Sequence, residues 1–192
     1  HIYLIEAGPR LLAGMSEESS AHAEQFLREM GVNILLNKRV VDYRDHKVVL
    51  EDGTEIATRT FIWVSGVTGV TIGNLDASLI GRGGRIKVDS FNRVEGMNNV
   101  FAIGDQCIQL ADENYPNGHP QLAQVAIQQG ELLAKNLIRM EKGQEMKPFH
   151  YRNLGSMATV GRNRAVAEFS KVKMQGWFAW VMWLVVHLRS IL

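Results

Sequence analysis

Between Ile2 and Asn37 the hydrophobic pattern changes period twice, and this constrains the fold more than any other stretch. "IYLIE" (Ile2 to Glu6) is a short apolar run closed by "AGPR", the pattern of a buried strand ended by a turn. From Met15 to Met30 the apolar residues Ala23, Phe26, Leu27 and Met30 recur at helical spacing. Ser16 with Glu17 and Glu18 supplies a helix start, and Gly31 a stop. "VNILLN" (Val32 to Asn37) is again strand-like. Strand, helix, strand in that order predicts a parallel sheet in an α/β fold.

The pattern then shortens. "DG" at Asp52-Gly53 joins "KVVLE" to "TEIAT" as a hairpin turn. This predicts a small antiparallel meander that ends in an apolar strand from Phe61 to Val64, followed by Ser65-Gly66. A glycine-rich loop runs from Val67 to Gly84, and "RIKVD" (Arg85 to Asp89) is a further strand. "NVFAIGDQC" (Asn99 to Cys107) reads as a buried strand, Val100 to Ile103, that stops abruptly at Gly104-Asp105. Two explanations fit that stop. In one, a ligand approaches a backbone that carries no Cβ, and the acid accepts hydrogen bonds from sugar-like hydroxyls. In the other, this is an ordinary turn with Asp105 as a cap.

The clearest helix is Gln121 to Met140. Gln121, Gln124, Gln128, Glu131 and Lys135 share one face, and Leu122, Val125, Ala126 and Leu133 the other. Gln129 falls on the apolar face, where an unpaired amide costs roughly 1–3 kcal/mol. It is either a satisfied core amide or an amide lining a pocket for a carbonyl-bearing ligand. "YRNLGSMATVGRNRAVAEF" reads as two short strands around "GRN". The tail, Met174 to Leu192, carries no charge between Gly176 and Val186, 11 residues against the roughly 20 needed to cross a bilayer. Trp177, Trp180 and Trp183, with Lys171 and Lys173 before them and Arg189 near the end, suit a helix lying on a membrane surface. A core helix packed against other residues is the competing account.

Composition excludes several classes. A net charge of +1 and the lack of basic runs interleaved with aromatics argue against nucleic-acid binding. Cys107 is the single cysteine, so neither an internal disulfide nor a C-x-x-C dithiol exists within the chain. His22, His46, His119, His150 and His187 lack metal-ligand spacing, and no catalytic triad is expected. No signal peptide is read at the start. Both ends fall inside ordered patterns, which leads us to expect a fragment.

Glu6 on its own is a strand-end acid, and no G-x-G-x-x-G turn precedes it. Its context changes once the segments are taken together. "NVFAIGDQC", "HPQLAQVAIQQGELLAKNL" and "YRNLGSMATVGRNRAV", in that order, resemble the C-terminal half of type II NADH dehydrogenases, flavoproteins that oxidise NADH and reduce a quinone. The resemblance covers essentially the whole chain. It implies part of a Rossmann-like fold with two dinucleotide-binding domains, the small meander, and a C-terminal membrane-associated helix. Residues 1–68 would be the later part of the NADH-binding domain, 69–148 the closing part of the FAD-binding domain, and 149–192 the start of the membrane-binding region.

The resemblance also assigns roles. Glu6 would hold the adenosine ribose of NADH and disfavour the extra phosphate of NADPH. Trp63 to Gly66 would lie beside nicotinamide and flavin, with Ser65 where the family commonly has alanine. Gly104 and Asp105 would hold the FAD sugar-alcohol chain. Ala123 and Gln124 would lie against the flavin ring, and Gln124 and Gln128 would line the quinone pocket. The cofactors implied are FAD and NAD(H), with no metal and no proton pumping. The implied location is peripheral, on the cytoplasmic face of the cell membrane through residues 174–192, with a homodimer as an option. The family's two glycine-rich turns are not in this sequence, so the chain alone is expected to bind neither cofactor well. A related reductase with a soluble acceptor and a catalytically silent membrane-associated module remain alternatives.

Overall fold

The computed structural model describes residues 1–70, 72–170 and 172–191, with side chains through residue 189. Lys171, expected above in the basic flank of the tail, and Leu192, its last residue, lie outside the described residues. The chain divides into two units, one made of residues 1–63 with 154–192 and the other of residues 64–153.

In the first unit the strand–helix–strand expectation holds. Strands β1 (Ile2–Ile5) and β2 (Val32–Leu35) pair in parallel, Ile2 opposite Val32. Helix α1 (Glu17–Glu29) connects them. Its N-cap Ser16 accepts from the Ser19 amide, and Glu17 and Glu18 complement the positive end of the helix dipole. The meander follows as antiparallel β3 (Val40–Arg44), β4 (Lys47–Leu50) and β5 (Glu55–Ala57). Val48 and Leu50 bury its inner face.

The expected strand at Phe61 to Val64 does not form. Ile62, Trp63 and Val64 are 74%, 60% and 85% exposed, so the run has neither a ladder partner nor a buried face among the described residues. An apolar run becomes a strand only where another strand can satisfy its amides.

The chain returns to this unit as antiparallel β8 (Ser156–Thr159), β9 (Ala165–Phe169) and β10 (Val172–Gln175). The first two are the strands expected around "GRN". The third lengthens the hairpin into the expected start of the tail helix, because Lys173 and Gln175 pair with Glu168 and Val166. Gly176, at φ +72°, then turns the chain into α3 (Gly176–Ile191). Ala179 of α3 is fully buried with Ala165 and Ala167 of β9, small side chains that let helix and sheet approach closely.

Three polar contacts fasten α1 to this sheet. The Glu168 carboxylate accepts from the backbone amide of Ser16 at 3.0 Å and from its hydroxyl. Lys173 meets Glu18 at 3.0 Å, and Arg164 meets Glu29 at 2.5 Å.

The second unit holds parallel β6 (Ile86–Val88) and β7 (Cys107–Gln109) and helix α2 (Ala123–Glu141). Ile86, Val88, Val94 and Cys107 form its core, with Leu75, Leu79, Ile80, Met97 and Ala102 packed around them. Here the expected strand Val100 to Ile103 is corrected. The stretch makes one bridge, Phe101 to Arg93, and Val100 is 43% exposed. Gly104–Gln106 is a short 3-10 turn, and the paired strand begins after it, at Cys107. Residues 107–109 have Ile86–Val88 to bond with, which the more apolar run before them lacks. Leu122, expected on the buried face of the helix, is its N-cap and is 40% exposed.

Candidate functional site

The turn at Gly104-Asp105 lies against the first half of α2. Gly104 has φ +65°, and a Cβ there would come within 3.1 Å of the Ala126 Cβ. Any larger residue would therefore be strained and crowded at once. The Gly104 amide donates to Gln129 Oε1 at 2.6 Å, and the Gln121 side chain donates to the Asp105 carbonyl at 3.1 Å. Two glutamines, one just before α2 and one inside it, thus grip the backbone of the turn. Gln129 is 1% exposed and its side-chain oxygen accepts from Gly104, which agrees with a core amide bonded to backbone.

The Asp105 carboxylate is exposed and makes no hydrogen bond among the described residues, so it caps nothing. The acid thus keeps free acceptor capacity beside a turn that the glycine lets pack against α2. Ala123 is the first residue of α2, and its N-cap Leu122 has no side-chain oxygen to bond the first amides.

Gly66 lies in the same unit at φ +82°, with nothing among the described residues within 4 Å of where a Cβ would be. The loop after it is tied to the turn. Gln106 accepts from the Val70 amide at 2.9 Å and donates to the Val70 carbonyl at 2.7 Å. Gln128 makes the same two-point contact with Arg152, at 2.9 and 3.0 Å. Gln124 is half-buried one turn before it. A groove of about 280 Å³ runs along α2 from Gln128 past Glu131 and Lys135 to Phe149 and His150.

Beneath the turn, Arg85 is 8% exposed. It donates to the carbonyls of Cys107 at 2.6 Å and His119 at 3.1 Å, and burial lowers its pKa. Burial pushes the Cys107 thiol up, which leaves it protonated and inert. Among the described residues no group of histidine, cysteine or acidic side chains could hold a metal ion.

Glu6 belongs to the other unit. It follows β1, and its Oε1 accepts from the Gly8 amide at 2.7 Å, which fixes the carboxylate. Arg10, four residues on, spends its guanidinium on the carbonyls of Leu12, Ala13 and Met15.

Sequence reasoning missed Gln106, Gln121 and Arg85. A signal for Gln106 was its place directly after Gly104-Asp105. Arg85 could be read only as the start of a strand.

Residues 1–130 match the family described as pyridine nucleotide-disulphide oxidoreductase. The chain belongs to that family. It is 36% identical over 200 residues to the type II NADH:quinone oxidoreductase NdhA of Mycobacterium tuberculosis, covering 97% of this chain and 41% of that protein. It is 32% identical over 208 residues to the internal alternative NAD(P)H-ubiquinone oxidoreductase A1 of Arabidopsis thaliana mitochondria, covering 99% and 40%. Among solved structures it resembles NDH2 of Plasmodium falciparum in complex with NADH, with a TM-score of 0.86 at 19% identity over 100% of this chain and 54% of that one. The fold is thus the Rossmann-like α/β fold of this oxidoreductase family. The chain spans under half the length of these two curated relatives.

Proposed function

We propose that this chain is the C-terminal part of a flavoprotein that oxidises NADH and reduces a membrane quinone. The observation that carries this is the Gly104-Asp105 turn: a glycine that lets the turn close onto α2 and an exposed carboxylate with free acceptor capacity, in a turn held by glutamines 121 and 129. The named activity of the relatives supports it.

In this reading Gly104 closes the turn on α2 beside the FAD chain, and Asp105 accepts hydrogen bonds from the hydroxyls of that chain. Ala123 and Gln124 present the start of α2 to the ring, and Gly66 borders it. When bound, FAD supplies the hydride acceptor and the electron store. Glu6, with Oε1 fixed by Gly8, offers its other oxygen to the NADH ribose and repels the 2′-phosphate of NADPH. Gln124 and Gln128 face the quinone, and Gln128 is held by the Arg152 peptide. Residues 1–68 serve NADH, 69–148 close the FAD site and 149–192 begin the membrane part.

No helix among the described residues is long and apolar enough to cross a membrane. Trp177, Phe178, Val185 and Leu188 of α3 are all at least half exposed, which supports a surface helix that enters the lipid headgroup region. Its basic flank is weaker than the sequence suggested, because Lys173 is engaged by Glu18. The location we propose is peripheral, on the cytoplasmic face, with pairing of two copies along α3 as an accompanying proposal.

The test is a visible spectrum of the protein from its complete reading frame, purified without added flavin. We expect a flavin band that bleaches with NADH without oxygen and returns on adding a short-chain quinone. A colourless protein, or a flavin indifferent to NADH, overturns the proposal and favours a silent module. Recovery with soluble acceptors but not with quinone favours a soluble-acceptor reductase.

A further inference from the structure

One guanidinium sits behind the Gly104-Asp105 turn and joins the two chain segments that frame it. Arg85 stands just before Ile86, the residue that pairs with Cys107 across β6 and β7. Its Nε donates to the Cys107 carbonyl at 2.6 Å, and its Nη2 to the His119 carbonyl at 3.1 Å. Cys107 follows Asp105 by two residues, and His119 precedes Gln121 by two. Gln121 in turn donates to the Asp105 carbonyl at 3.1 Å. The segment from Asp105 to Cys107 and the segment from His119 to Gln121 are therefore joined twice. Gln121 is the rung on the exposed side and Arg85 the rung on the buried side, and together they close a ring of bonded groups around the turn.

Fastening alone does not account for a charge at the inner rung. Arg85 is 8% exposed, and no carboxylate pairs with it among the described residues. A buried cation received only by neutral carbonyls carries a desolvation cost. Elsewhere in this unit neutral amides take backbone carbonyls, Asn136 that of Lys147 and Gln128 that of Arg152. An amide does not supply donors on two nitrogens held rigidly in one plane, and a guanidinium does. Burial lowers the Arg85 pKa, and among the carboxylates it is Asp105 whose charge opposes this. The inner rung is thus both rigid and electrostatically coupled to the acid of the turn.

We propose that Arg85 is a positioning residue for the flavin. It holds the Cys107 and His119 carbonyls on one guanidinium edge and so keeps the Asp105 carboxylate at a fixed place relative to the start of α2, with Gln121 as the outer rung of the same frame. This rests on the FAD reading of the turn given above. Arg85 is buried beneath the turn, so its effect reaches the cofactor through Asp105.

The test is a double-mutant cycle on FAD affinity in the full-length protein, stripped of flavin and retitrated, with Arg85→Lys and Asp105→Ala made alone and together. Lysine keeps the charge but presents it as a point, without the fork. We expect Arg85→Lys to raise the FAD Kd by about tenfold, the scale of one lost charge-assisted hydrogen bond. Once Asp105→Ala has removed the carboxylate, Arg85→Lys should add less than about twofold. An arginine that only holds the fold together predicts the same factor in both backgrounds. That result, or an unchanged Kd in Arg85→Lys, overturns the positioning role and leaves the flavin reading intact. Gln121→Ala, made in parallel, cuts the outer rung at a side chain outside the core, so it stays decisive if Arg85→Lys does not fold. It should raise the Kd by about threefold, and the rise should disappear in the Asp105→Ala background. A rise that persists there overturns the frame. Asp105→Ala that binds FAD as tightly as the unmutated protein, or an unmutated protein that binds none, overturns both the frame and the flavin reading of the turn.

Discussion

Helices α1 and α2 are fastened to their surroundings by opposite chemistry. The ends of α1 are held by charges: Glu168 at Ser16, Lys173 at Glu18 and Arg164 at Glu29. By contrast α2 is held by neutral amides that read backbone. Gln128 bonds both the amide and carbonyl of Arg152, Asn136 bonds both the amide and carbonyl of Lys147 at 2.9 and 2.8 Å, and Gln129 takes the Gly104 amide. Exposed ion pairs contribute little and respond to salt and pH. Gln129 and Asn136, both 1% exposed and bonded to backbone, respond to neither, and removing one leaves a partner stranded. The helix beside the proposed flavin is thus the one whose position is insulated from the medium.

The largest effect should follow from breaking that insulation. Gln129→Leu keeps the volume but leaves the half-buried Gly104 amide without its acceptor. We expect a loss of roughly 1–3 kcal/mol in urea unfolding of the full-length protein, with lower flavin occupancy after purification. Normal stability and full occupancy would show that the amide grip on the turn is incidental.

A smaller, pH-dependent effect should come from α1. Burial raises the Glu168 carboxyl, but the hydrogen bonds from Ser16 and Ser19 and the charge of Lys173 outweigh it, so its pKa lies below the ordinary value. A carboxylate with a depressed folded pKa contributes stability above its unfolded value, about 4.3, and that contribution disappears as pH falls through the folded value. Glu168→Gln should therefore lower the melting temperature at pH 7 by more than at pH 3. An equal deficit at both would assign the loss to packing and remove charge from the account of α1.

These contrasts were unevenly legible in the sequence. The parallel pair around α1 was readable because period, cap and stop agree over Ser16 to Gly31. The Gly104-Asp105 turn was readable as a break, but the strand was placed before it. The apolar run Val100 to Ile103 outranks "CIQ" in hydrophobicity, whereas pairing depends on the partner at Ile86–Val88. Phe61 to Val64 failed for the same reason. Gln129 announced itself as an amide on an apolar face, and Asn136, seven residues on, sits on the same stripe and is 1% exposed. What no local pattern could supply was their partners. Gly104 is 25 residues from Gln129, and Ser16 is 152 from Glu168. Glu6 and Gln128 could be named as site residues only through the family resemblance, since a strand-end acid and a helical glutamine are common.

The smallest effect should come from the pair at the far end of α1. Arg164 meets Glu29 at 2.5 Å and also lies over the Phe26 ring, 5.1 Å from its centroid. Both partners of the ion pair are more than a third exposed, so salt screens their attraction while the cation–π contact and the packing of the arginine stem remain. Glu29→Gln should therefore shift the melting temperature by an amount near the limit of detection, and the shift should vanish in 1 M salt. Arg164→Leu should leave a deficit that survives salt, because it also removes the cation from the Phe26 face. If both variants lose the same amount, and both recover in salt, the contact is ionic alone, and α1 is then charge-held at this end as fully as at Ser16.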